Sequence, residues 1–184
     1  MPDPKQPMAG GDFNYTKTSK RSPFDGGLRT PILIRWDGHT KAGTHQNPCS
    51  SVDVVPTLLD ALGIENVDVR LPGRSLWPSA TGIKQLAAVP VFGAIYPGDA
   101  SALGHPERDV AYRWIRSGRF KLVVPYVRSG ENPWGHYLDK VALFDAVADP
   151  HEQVDLADDE RYVDSIERLK QQLDQWWTPT NKPE

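Results

Sequence analysis

The chain has 184 residues, enough to bury a core in about one to one and a half domains. Its formal net charge of −3 excludes the overall basic face that nucleic-acid binding requires, and no apolar run approaches the ~18 residues of a membrane helix. A single cysteine, Cys49, rules out an intramolecular disulfide.

Residues 1–19 are polar, rich in Pro and Gly, and without sustained periodicity, so they read as a loop. They lack the charged and apolar regions of a signal peptide. Next comes Lys20-Arg-Ser-Pro-Phe-Asp-Gly-Gly-Leu-Arg-Thr-Pro31, running into the apolar stretch Ile32–Trp36. Gly26 and Gly27 permit close backbone approach, and Pro31 suits the first position of a strand. The pattern predicts a tight turn, with Lys20 in a loop ahead of a strand buried on both faces. A solvated loop lysine and a ligand-binding one both fit these residues. Lys17, Lys20, Arg21 and Arg29 make the region locally basic, which suits an anionic ester or a plain solvated loop.

Gly38 to Pro48 is a polar connection holding His39 and His45, whose spacing gives no recognisable metal-ligand set. Ser50 to Gly63 predicts a helix, with Ser51 or Asp53 as cap, Pro56 in the first turn and Gly63 as terminator. Val55, Leu58, Leu59 and Leu62 form an apolar stripe expected to lie against a sheet. Strands are expected at Val89–Tyr96, Val110–Arg116, Phe120–Tyr126 and Val141–Asp145, with Ser117-Gly118 turning between the second and third. The last element, about Asp158 to Trp177, is an amphipathic helix with Tyr162, Ile166, Leu169, Leu173, Trp176 and Trp177 on one face.

Several phrases resemble type I sulfatases, members of the alkaline-phosphatase-like superfamily. The Lys20–Pro31 segment is similar to their Lys-x-x-x-aromatic-acid-Gly-Gly-x-Arg-x-Pro motif. Val52-Asp-Val-Val-Pro-Thr-Leu-Leu59, Arg116-Ser-Gly-Arg-Phe-Lys-Leu122, Leu143-Phe-Asp145 with Asp149-Pro-His-Glu152, and Asp155-Leu-Ala157 follow in the family's order. The resemblance implies an α/β fold: the tail of an alkaline-phosphatase-like sheet domain over 1–85, then a small α+β subdomain over 86–184. That subdomain would be an antiparallel sheet with a C-terminal helix.

The resemblance also implies a function, hydrolysis of a sulfate ester. It gives Lys20 the catalytic and sulfate-binding role, with Arg29 and His105 as further substrate-binding candidates. Arg29 pairing with Asp25, and His105 as an ordinary loop histidine, are the blander readings. The family's formylglycine nucleophile arises in a Cys-x-Pro-Ser-Arg-type sequence, which Cys49-Ser-Ser-Val does not match, so Cys49 is expected to be an ordinary, partly buried residue. The family's Ca2+ cofactor is bound by an Asp-Asn pair, and no such pair occurs in residues 1–19. The chain is therefore expected to be the C-terminal portion of a sulfatase, Met1 an internal methionine, catalytically incomplete without the N-terminal part of the catalytic domain as partner. Family members are often periplasmic, secreted or lysosomal, and the chain itself leaves localisation unknown. The competing readings are a phosphonate or phosphodiester hydrolase of the same superfamily, and a non-catalytic module that binds sulfated glycans.

Overall fold

A computed structural model describes residues 19–65, 70–127 and 134–179. Among them are four α-helical segments: α1 (Asp25–Leu28), α2 (Val54–Ala61), α3 (Trp77–Ala80) and α4 (Val163–Trp176). The strands are β1 (Val91–Ile95), β2 (Tyr112–Ser117), β3 (Phe120–Pro125) and β4 (Ala142–Asp145). The chain divides into two compact units, one ending at Arg29 and resuming at Phe92, the other spanning Thr30–Val91.

In the first unit the strands lie in the order β1-β2-β3-β4, with β2–β3 and β3–β4 antiparallel. The mixed α/β character and the antiparallel sheet with its C-terminal helix agree with the sequence-based fold class. Ser117 pairs with Phe120, leaving the two-residue loop Gly118-Arg119. Gly118, at φ 58°, holds the first loop position, where a type II′ hairpin turn demands positive φ.

Alternation along β3 sends neighbouring side chains to opposite faces. Leu122 joins Ile115, Leu143, Leu169 and Leu173 under α4. Val123 joins Tyr112, Ala142 and Phe144 on the other face, where Phe24 and Leu28 pack from the 19–29 segment. Leu169 and Leu173 are fully buried, each contributing roughly 1.5–3 kcal/mol of apolar transfer. The tryptophan pair continues this packing. Trp176 stacks on Phe92 at 5.5 Å, and Trp177 supplies a carbonyl to the Arg113 guanidinium.

The second unit is organised around Asp53. Its carboxylate accepts the Ser50 N–H and the Arg74 N–H, each at 2.9 Å, so it caps the helix start rather than serving as a ligand. Thr57 Oγ1 donates to the Asp53 carbonyl at 2.6 Å and accepts the Leu76 N–H at 2.9 Å. Gly63 ends the helix with φ 65°.

Two expectations are corrected here. Ile32–Trp36 forms no strand, and Leu33 is 89% exposed. An extended segment needs a neighbour for its backbone groups, and among the described residues only Trp36 finds partners, in the local turn to His39 and Thr40. Among the described residues no sheet covers the apolar stripe of α2: Val55 and Leu58, with Leu62 just past its end, are all exposed.

Candidate functional site

Lys20 sits on a tight turn in which the Ser22 N–H donates to the Ser19 carbonyl at 2.9 Å. Lys20 and Arg21 are the two central residues, and Arg21 takes φ 72°. That is the third position of a type II turn, where glycine is the usual choice. The turn is braced from below. A Cβ on Gly27 would fall 2.9 Å from both the carbonyl oxygen and Oγ of Ser22, so only a glycine lets the two segments touch. Ser22 is fully buried while Lys20 is exposed.

Beneath this turn lies a buried ion triad. Lys121 points from β3 toward the face that carries Val123, and its side chain is 1% exposed. Its Nζ donates to Glu152 Oε1 at 2.6 Å and to Asp25 Oδ1 at 2.7 Å. The second oxygen of Glu152 accepts the Asp25 N–H at 2.5 Å. One carboxylate thus binds a strand lysine and the backbone start of α1 together. Glu152 holds this position at φ 53°, uncommon for a residue with a side chain.

The electrostatics follow from burial. Desolvation pushes the Glu152 carboxyl above its ordinary value, against the lowering pull of Lys121. Desolvation likewise holds Arg116 below the usual guanidinium range, with Asp25 opposing and Arg29 adding to the effect. Burial also raises the Tyr137 phenol, and the nearby charge of Arg21 opposes it.

The other sequence candidates stand apart from this arrangement. Arg29 is exposed just beyond α1, and its N–H donates to the Asp25 carbonyl at 2.8 Å. The Asp25 carboxylate goes to Lys121 instead of the Arg29 side chain. His105 is exposed, with Nδ1 3.0 Å from Glu107 Oε1. It neighbours a shallow cavity of about 250 Å3 lined by Tyr96, Ala102, Leu103, Gly104, Pro106 and Asp109. No described hydrogen bond or ion pair joins Lys20, Arg29 and His105.

Cys49 is exposed rather than partly buried. His45 meets Ser79 Oγ at 3.1 Å, and His39 lies 4.5 Å from the Trp36 ring. Among the described residues no group of three or more His, Cys, Asp or Glu side chains is arranged to hold a metal ion. Calcium therefore has no fitting ligand set on them.

The triad was missed in the sequence, although all three members fall within the phrases quoted above and Glu152 ends one of them. Strand alternation puts Lys121 on a buried face, and a buried ammonium demands acid partners. That signal was available.

The family described as N-sulphoglucosamine sulphohydrolase, C-terminal, matches residues 12–178. Arylsulfatase A of Bos taurus is 27% identical over 184 residues, covering 92% of this chain and 34% of that protein. Choline-sulfatase of Rhizobium meliloti is 33% identical over 144 residues, covering 77% of this chain and 24% of that protein. N-sulphoglucosamine sulphohydrolase of Homo sapiens is 26% identical over 196 residues, covering 85% and 38%. The chain thus spans between 24% and 38% of the length of these relatives.

Among solved structures, one from Bacteroides thetaiotaomicron, described under the metabolism of multiple glycosaminoglycans, superposes with a TM-score of 0.61 at 16% identity. It covers 83% of this chain and 30% of its own, and shows the shared fold. The phosphonate monoester hydrolase of Agrobacterium radiobacter gives a TM-score of 0.51 at 25% identity, covering 71% and 25%.

Proposed function

We propose, for a chain that belongs to the sulfatases through the N-sulphoglucosamine sulphohydrolase C-terminal family, that it serves the hydrolysis of a sulfate ester by presenting Lys20 to the sulfate group. The observation that carries this reading is the exposed Lys20 at the apex of a turn that Gly27 alone can brace. A lysine ammonium is a compact point charge, suited to an oxyanion whose charge grows on the departing ester oxygen. Arg29, just beyond α1, and His105 are the further substrate-binding candidates.

The nucleophile and calcium ligands belong, in this reading, to sequence other than this chain. Cys49 lies outside any Cys-x-Pro-Ser-Arg-type site. Calcium, when bound, offsets charge on sulfate oxygens. Residues 1–85 then contribute to a catalytic α/β domain and 86–184 form the small C-terminal subdomain. By itself the chain is catalytically incomplete.

A second reading is favoured by the Agrobacterium radiobacter likeness, in which the same scaffold cleaves a phosphonate monoester. Both readings meet one experiment. The chain, joined to an upstream segment bearing the nucleophile and calcium ligands, is assayed on 4-nitrophenyl sulfate and on a phenylphosphonate monoester. Sulfate turnover that falls about 10²–10³-fold in Lys20→Ala supports the first reading. Preference for the phosphonate supports the second. Full sulfate turnover in Lys20→Ala removes the role of Lys20, and calcium-dependent turnover by the isolated chain removes the claim of incompleteness.

A further inference from the structure

We propose that Glu152, together with Lys121, is a positioning residue for Lys20, locking the turn that carries it to the antiparallel sheet. This inference rests on the sulfate-binding role of Lys20 given above. It reaches beyond that role to residues about 100 and 130 positions away in sequence that touch no substrate.

The connection is short and wholly polar at its base. Lys121 is fixed by β3, whose neighbours β2 and β4 pair with it on both sides. From there the charge passes to Glu152 Oε1 at 2.6 Å and to Asp25 Oδ1 at 2.7 Å. Glu152 Oε2 then takes the Asp25 N–H, the first backbone donor of α1. The four residues of α1 are too few to hold themselves in place, because a single helical turn is unfavourable alone. What anchors the segment is this tie together with Phe24, which packs on Phe144 at 5.8 Å and edge-on to Tyr137 at 6.5 Å.

The last link is steric. Gly27, two residues into α1, meets the backbone of Ser19 and Ser22 with no room for a methyl group. Any drift of α1 therefore moves the turn, and Lys20 with it. Arg21 is held in a positive-φ conformation, one that an L-residue adopts only at a steric cost. Displacing a catalytic charge by even about 1 Å is enough to cost a large factor in rate.

The test is amide hydrogen exchange on the full 184-residue chain, comparing wild type with Glu152→Gln, which keeps the shape and removes the charge. Amides of Ser22, Gly27, Leu28 and Arg29 donate to Ser19, Phe24, Phe24 and Asp25 in turn. They should exchange roughly tenfold or more faster in the variant, while amides in the β2–β3 ladder stay unchanged. Asp25→Asn, at a site 18% exposed and safer for folding, should give the same local pattern at smaller amplitude. Faster exchange throughout the unit in both variants would mark a merely structural pair and overturn the proposal. So would unchanged exchange in the 22–29 segment.

Turnover in the joined enzyme supplies the second arm. Glu152→Gln should lower kcat more than it raises KM, and should have no further effect once Lys20 is already alanine. Additive losses in the double variant overturn the proposal. If Lys20→Ala is fully active yet Glu152→Gln still frees residues 22–29, the tether stands and the sulfate role of Lys20 falls, so the two claims fail separately.

Discussion

A Cβ built on Gly27 would lie 2.3 Å from the carbonyl oxygen of Ser19. The obstacle is backbone, which cannot swing aside as a flexible side chain would. Gly27→Ala should therefore cost about 1–3 kcal/mol as an overpacked contact. The change should appear as a lower urea midpoint with an unaltered m-value. A variant as stable as wild type would show that the two segments separate freely.

Glu152 gives a pH dependence with a definite sign. Burial raises its carboxyl above the ordinary value of 4.5. An acid whose folded pKa exceeds its unfolded one contributes stability below the unfolded pKa and loses it as pH rises through the folded one. Wild type should thus lose stability relative to Glu152→Gln as pH climbs upward from 4.5. Urea unfolding of both proteins across that window reads the difference, and a gain for wild type would reverse the assignment.

Leu169 is fully buried between α4 and the sheet. Leu169→Ala should cost about 2–5 kcal/mol, the sum of lost transfer energy and a residual cavity. The same substitution at Leu58, 55% exposed, should stay within about 0.5 kcal/mol. Denaturant titration of the pair compares a core leucine with one lying on an open face.

Val55 and Leu58 on α2, with Leu62 just past its end, form an exposed apolar stripe. Isolated chain should therefore bind a hydrophobic dye in its folded state, and Leu58→Lys should reduce the signal without lowering stability. Dye fluorescence that is absent, or indifferent to residue 58, would show that this stripe is not accessible in solution.

Most of the antiparallel sheet was legible because its strands carry their own signals. Period-two alternation marks β2 to β4, and of the expected turn pair Ser117-Gly118 it is Gly118 that takes positive φ, Ser117 remaining in β2. The α4 stripe was equally plain, since Leu169 and Leu173 repeat at helical spacing. Ile32–Trp36 misled because an apolar run states a preference for burial without naming a partner. The Asp53 cap was readable from its position, whereas its bond to Arg74, 21 residues on, depends on tertiary closure. At the candidate site the motif pointed to Lys20 and its glycines. The tie to Glu152 spans 127 residues from Asp25, and nothing local encodes such a pairing. Only the burial of Lys121, inferred from strand parity, hints that two acids must converge there.

Residue 152 sits where the backbone itself would favour glycine, at φ 53°. Replacing Glu152 by glycine would release about 1–2 kcal/mol of conformational cost and delete the carboxylate in a single step. A lineage indifferent to the orientation of the N-terminal loop gains from that exchange; one that depends on it cannot accept it. The identity of this one residue among descendants of the chain is therefore a gauge of whether the placement of the 19–29 segment is still under selection.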